Sequence, residues 1–215
     1  QVVPRDYRFD VDFNGFLLTA ARAEEHLSRL DEQVNVGMYE SPFYLRKDLS
    51  GARILRQRVK KPIVEHFSEQ VLHAQVSDGF VVGGTIEAVR RQATLAAEFD
   101  KPFWLQLVGA GLTTAYALHL GSVLSHAQLP SITCFELFED DLLLDPIDIV
   151  DGYAAVPEGP GLGVEVDEEA LRRYAVEAAT PTPKQQYRAG KRLLRVRWPG
   201  VAAGQREGSF TDEAR

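Results

Sequence analysis

From Tyr7 to Phe135, short apolar runs alternate with longer amphipathic stretches. Tyr7 to Phe13 alternates polar and apolar side chains, the period of a strand. Phe16 to Leu30 sets Leu17, Ala20, Ala21, Leu27 and Leu30 on one face, with Arg22, Glu24, Glu25 and Arg29 largely opposite, which predicts an amphipathic helix. The pattern then predicts a strand over Val34 to Tyr39 and a helix over Lys47 to Val59 with Leu49, Ile54 and Leu55 facing in. A short strand from Pro62 to Glu65 and a weak helix from Glu69 to Leu72 follow. Gln75 to Asp78 reads as a strand, broken by Gly83-Gly84 before a helix from Thr85 to Phe99. Pro102 to Leu107 is strand-like, Gly109 and Gly111 open an apolar helix over Leu112 to Leu124, and Ser131 to Phe135 ends the series as a strand.

Strand and helix thus alternate six times with short connections, the mark of a parallel α/β protein. Periodicity suits an arc of a (β/α) barrel and an open doubly wound sheet equally well. A closed eight-stranded barrel would need two further units ahead of Gln1. The 215 residues start at Gln1 rather than Met and stop at Arg215 with no obvious terminator, so truncation at both ends is the expectation. After Glu139 the character changes. Asp151-Gly152 is a turn signal, Pro157 to Gly163 a rigid Pro/Gly loop, and Asp167 to Tyr174 a short helix capped by Asp167. Residues 1–150 therefore read as a partial barrel, 151–177 as a tail segment, and 178–215 as a linker with an exposed edge strand at Leu194 to Trp198.

Three strand-like runs end in side chains able to hold a metal: Asp12, Glu40 and His66, spaced by about one βα unit. Two carboxylates and an imidazole converging at one end of a parallel sheet would form a divalent-cation site. The net charge of −7 argues against nonspecific binding to nucleic acid or an anionic membrane, while a bound cation could still draw in a small anion. The single Cys134 excludes an intrachain disulfide and makes a reducing cytoplasm the default expectation. No apolar stretch is long enough to span a bilayer.

The ordered motifs resemble the enolase superfamily, in its mandelate racemase and muconate lactonizing branch. Val11-Asp12-Phe13-Asn14 is similar to that family's third-strand metal motif, and Tyr39-Glu40-Ser41-Pro42 to its fourth-strand motif. Pro62 to His66 falls where the fifth strand delivers the third ligand. Ser77-Asp78-Gly79 with Gly83-Gly84 looks like the sixth strand, Phe135-Glu136-Leu137 like the eighth, and Asp151 to Gly163 like the tail that packs on a capping domain.

The resemblance implies a partial (β/α) barrel and proton abstraction next to a carboxylate, with a bound Mg²⁺ stabilising the resulting enediolate. It implies Asp12, Glu40 and His66 as metal ligands, Asn14 as a substrate contact, and Asp78, Gln106 and Glu136 as catalytic positions. Two positions depart from the pattern. His66 stands where an oxygen ligand is usual, which opens the site to Mn²⁺ or another transition metal; Glu65 beside it should face the other side of the strand, unless the register shifts. Gln106 stands where the seventh strand usually carries a histidine base, and glutamine cannot take a proton at neutral pH. The family's other base, a Lys-x-Lys pair, would precede Gln1. The expected activity is a lyase eliminating water from a sugar acid or related hydroxy acid. A racemase or epimerase of the same branch, or a noncatalytic homologue binding an acid metabolite, remains open. Expected partners are a small carboxylate substrate and other copies of the chain in a homo-oligomer.

Overall fold

The computed structural model describes residues 7–175. Within them, five strands form one parallel sheet: β1 (Phe9–Asp12), β2 (Val36–Glu40), β3 (Ile63–His66), β4 (Gly79–Val82) and β5 (Phe103–Leu105). The crossovers between them carry α1 (Ala20–Leu30), α2 (Leu49–Arg58), α3 (Glu69–Ala74) and α4 (Ile86–Glu98). Helix α5 (Gly111–Val123) follows β5, and α6 (Glu168–Tyr174) lies in the tail. Spatial order equals chain order, β1-β2-β3-β4-β5. A doubly wound sheet reverses its order at a switch point; a sequential order with helices on one face is the arc of a barrel. That distinction, which periodicity could not make, is settled here in favour of the barrel.

One face of the sheet holds the main core. Tyr39, Ile63, Phe80, Val82, Phe103 and Leu105 pack there against Leu27 of α1, Leu55 of α2, Leu72 of α3, Val89 of α4 and Leu120 of α5. The opposite face carries a small cluster of Val64, Val81 and Trp104, with Met38 and Leu129 against it. Alternation along each strand assigns the faces, since neighbouring Cβ atoms point to opposite sides. Caps set where helices begin. Thr19 Oγ1 accepts from the Arg22 amide at 3.3 Å, Asp48 Oδ1 from Gly51 at 2.8 Å and Thr85 Oγ1 from Ala88 at 3.3 Å.

The structure corrects four sequence expectations. Helix α1 begins at Ala20, not Phe16, because Thr19 caps it; Phe16 and Leu18 are exposed in the preceding turns. In α2 the inward stripe is Ala52 and Leu55, and Ile54 is about half exposed, lying off that stripe. The fourth strand is Gly79–Val82, not Gln75–Asp78, because Gln75 closes α3 in the left-handed conformation (φ +53°) and the apolar run starts only at Phe80. Ser131 to Phe135 is not a full strand: only Ile132 bridges Gln106, after which Cys134 turns left-handed (φ +56°) into a 3₁₀ turn at Phe135–Leu137.

Among the described residues, 7–173 belong to one compact unit. The tail packs back on α5 within that unit. Buried Leu143 bridges Val166, the Gly111 amide donates to the Asp141 carbonyl at 2.9 Å, and a ring nitrogen of His119 lies 3.0 Å from the Leu162 carbonyl. The expected linker and edge strand over 178–215 lie outside the described residues.

Candidate functional site

Three polar tips meet at the C-terminal end of the sheet. Asp12 ends β1 and sits in register with Glu40, which ends β2. Glu40 is in register with Val64, and His66, two residues on, shares the face of Val64. Asp12, Glu40 and His66 therefore project from the face opposite the helices. The strand readings placed these three at one end, and the register brings them to one face as well.

The electrostatics centre on Glu40. It is buried, and its Oε1 has no hydrogen-bond partner. Burial first, then the negative charges of Asp12, Glu65 and Asp10, push its carboxyl up to about 7. His66 Nε2 lies 3.5 Å from that orphaned oxygen, on a largely exposed ring. A buried carboxylate oxygen without a partner, ringed by other carboxylates, is an arrangement that a cation completes. The donor chemistry fits: hard carboxylate oxygens for the cation, and an imidazole that tilts preference toward transition metals. Among the described residues, no three His, Cys, Asp or Glu side chains already close on one point. The donors share a face and an end of the sheet without forming a finished cage.

Asp12 is held by its own turn. The Asn14 amide donates to Asp12 Oδ1 at 2.8 Å and Asn14 Nδ2 donates to Oδ2 at 2.6 Å. Asn14 is left-handed (φ +48°), as is Gly15 after it. Asn14, expected to contact substrate, thus orients the Asp12 carboxylate, whose oxygens retain further lone pairs for a cation.

Glu65 faces the helix layer, as alternation requires. Its Oε1 accepts from Ser41 Oγ at 2.8 Å and from the His66 amide at 2.9 Å, and its Oε2 accepts from the Leu45 amide at 3.1 Å. Buried and saturated with donors, it ties the loop after β2 to the tip of β3. Sequence reasoning weighed Glu65 only as a rival ligand and missed this role. It also passed over Asp10, which lies two residues before Asp12 and so shares its face; burial pushes the Asp10 carboxyl up, partly offset by a hydrogen bond from the Met38 backbone. The Asp-x-Asp spacing in a strand was the available signal.

The other sequence-derived positions lie elsewhere. Asp78 is at the opposite end of the sheet, ahead of β4, where its Oδ2 pairs with Arg56 Nε at 2.7 Å and accepts from the Ile63 amide at 2.8 Å. Its expected place at a strand tip rested on the displaced strand and is corrected. Glu136 sits exposed on the 3₁₀ turn rather than on a strand, because the left-handed Cys134 diverts the chain. Gln106 follows β5 on the Trp104 face, held by its amide to the Val82 carbonyl at 2.9 Å. After β4 comes Gly83, where a Cβ would lie 2.6 Å from the Gln106 carbonyl oxygen, so no side chain fits there. None of these described tips presents a lysine.

A family profile described as enolase C-terminal domain-like matches residues 1–170. Muconate cycloisomerase 1-1 of Acinetobacter lwoffii is 31% identical over 97 residues, covering 43% of this chain and 24% of that protein. A mandelate racemase/muconate lactonizing family protein from Azoarcus sp. EbN1 superposes with TM-score 0.71 at 25% identity, covering 83% of this chain and 53% of that one. Muconate cycloisomerase from Pseudomonas fluorescens shares the fold, with TM-score 0.71 at 22% identity over 79% of this chain and 50% of that one. The chain spans about half the length of these solved structures and about a quarter of the curated relative. With five parallel strands in barrel order, metal-competent tips at their C-terminal ends and a profile match over 170 residues, the chain belongs to the enolase C-terminal domain-like family.

Proposed function

We propose that the whole protein is a metal-dependent lyase or isomerase that removes the proton α to a carboxylate. In its specific form, the proposed reaction is elimination of water from a sugar acid or related hydroxy acid. The observation that carries this reading is the orphaned, buried Glu40 Oε1 between Asp12 and His66 at adjacent strand tips. Asp12, Glu40 and His66 would hold a divalent cation, Mg²⁺ or, given the imidazole, Mn²⁺. When bound, it supplies Lewis-acid stabilisation of the charge that grows on the substrate carboxylate as the α-proton leaves. Asn14 fixes the Asp12 carboxylate, and Glu65 fixes the backbone on which His66 rides. Val64, Val81 and Trp104 give the site an apolar floor, which strengthens charge interactions above it. The base is assigned to the Lys-x-Lys strand that the family resemblance puts before Gln1. Loss of the β-hydroxyl as water then completes the elimination. The substrate and further copies of this chain are the partners this proposal carries.

The noncatalytic reading keeps one specific support: the described tips at Gly83 and Gln106 offer no proton acceptor. One experiment separates the two. The protein is incubated with Mg²⁺ and a panel of hydroxy acids in D₂O, and α-deuterium incorporation is followed by NMR. Exchange that disappears in Glu40→Gln supports the enzyme. Binding of an acid without any exchange supports the noncatalytic homologue.

A further inference from the structure

Ser41 directly follows Glu40 and is buried, 2% exposed, in the left-handed conformation (φ +43°). That backbone is uncommon for a residue with a Cβ and persists only where the surroundings hold it. Three hydrogen bonds hold it here. Its carbonyl accepts from the Gly15 amide at 2.7 Å, and its amide donates to the Val64 carbonyl at 2.9 Å. Its hydroxyl donates to Glu65 Oε1 at 2.8 Å. These bonds, with the peptide link to Glu40, reach all three strand tips. The Gly15 amide fastens the turn in which Asn14 orients the Asp12 carboxylate. Glu65 Oε1 also accepts from the His66 amide, so the hydroxyl steadies the carboxylate against which the β3 tip rests. Alternation turns the Ser41 side chain away from the Glu40 face and toward the helix layer, where Glu65 lies. The hydroxyl therefore stays behind the tips and out of reach of a cation on their open face.

Building on the metal-site reading, we propose that Ser41 is a positioning residue, whose hydroxyl, acting through Glu65, couples the β2 and β3 tips so that their side chains meet one cation together. Without the hydroxyl, Glu65 keeps its two amide donors, Leu45 and His66, but loses its bond to the residue beside Glu40. The ligands remain and their mutual placement loosens, so cation affinity falls.

The test uses the full-length protein, Ser41→Ala and Ser41→Gly, with Mn²⁺ alone as the probe and urea melts in parallel. Both variants lack the hydroxyl, but only glycine adopts the left-handed backbone without steric cost. Ser41→Gly should therefore unfold at higher urea than Ser41→Ala. Both should bind Mn²⁺ at least about tenfold more weakly than wild type, and to the same extent. A residue that merely holds the fold would make affinity follow stability, with Ser41→Gly binding more tightly than Ser41→Ala. That pattern, or wild-type affinity in both variants, overturns the positioning role and leaves the metal reading standing. Should Ser41→Ala fail to fold, the affinity of Ser41→Gly decides alone: a tenfold loss supports the role and none overturns it. A wild-type protein that binds no Mn²⁺ removes the metal reading, and the positioning role with it.

Discussion

Glu40→Gln should stabilise the metal-free fold while disabling the site, and the gain should depend on pH in a calculable way. In the folded chain the Glu40 carboxyl releases its proton near 7, against an ordinary 4.5. Between about pH 4.5 and about 7 the folded chain therefore holds one more proton here than the unfolded chain. Stability falls as pH rises through that window and is level above it. Linkage puts the penalty at about 3 kcal/mol at pH ~8 and under about 1 kcal/mol at pH ~5. Glutamine has no charge to expel, and the desolvation of its amide is the same at both pH values, so it cancels in the difference. The gain from Glu40→Gln over wild type should thus be about 2–3 kcal/mol larger at pH ~8 than at pH ~5. Urea denaturation of both proteins in EDTA at the two pH values measures it. A gain that is the same at both, or larger in acid, would refute the claim that burial and neighbouring carboxylates strain this group.

Three further outcomes follow from the same contacts. Cation affinity should rise about tenfold per pH unit below pH ~7 and flatten above it, because the cation must displace the Glu40 proton; a Mn²⁺ titration flat between pH ~5.5 and ~8 would contradict this. Glu65→Ala strands the donors of Ser41, Leu45 and His66 and should lower stability by about 3–5 kcal/mol in urea melts, with a loss under about 1 kcal/mol showing that the tie is not structural. Asp78→Asn loosens the Arg56 pair at the far end of the sheet, so it should cost about 1 kcal/mol and leave Mn²⁺ affinity untouched; a large loss of affinity would return Asp78 to the site.

What the sequence made legible follows from how each signal arises. Strand and helix order was readable because binary patterning reports burial directly: Leu27, Tyr39, Leu55, Phe80 and Val89 all pack in the main core. The strand-tip positions of Asp12, Glu40 and His66 were readable because each ends an apolar run. Placement failed where local chemistry outranked pattern. The Phe16 start overlooked Thr19 as a cap, and the fourth strand was set too early because Gln75 gives no sign of its left-handed turn. Glu136 was mistaken for a strand residue because Phe135 and Leu137 flank it like one, while the turn at Cys134 has no glycine to announce it. The role of Glu65 depends on donors from Ser41 and Leu45, more than a βα loop away, which no local pattern carries. Gly83 is required by the Gln106 carbonyl of the next strand, again a contact made only in three dimensions.

The most direct test of the central claim is Mn²⁺ binding followed by electron paramagnetic resonance in the full-length protein and in Asp12→Asn, Glu40→Gln and His66→Ala. The account predicts one tight ion per wild-type chain, loss of at least about a hundredfold in affinity for each carboxylate variant, and a weaker, altered spectrum for the histidine variant. Tight binding that survives all three substitutions would contradict it.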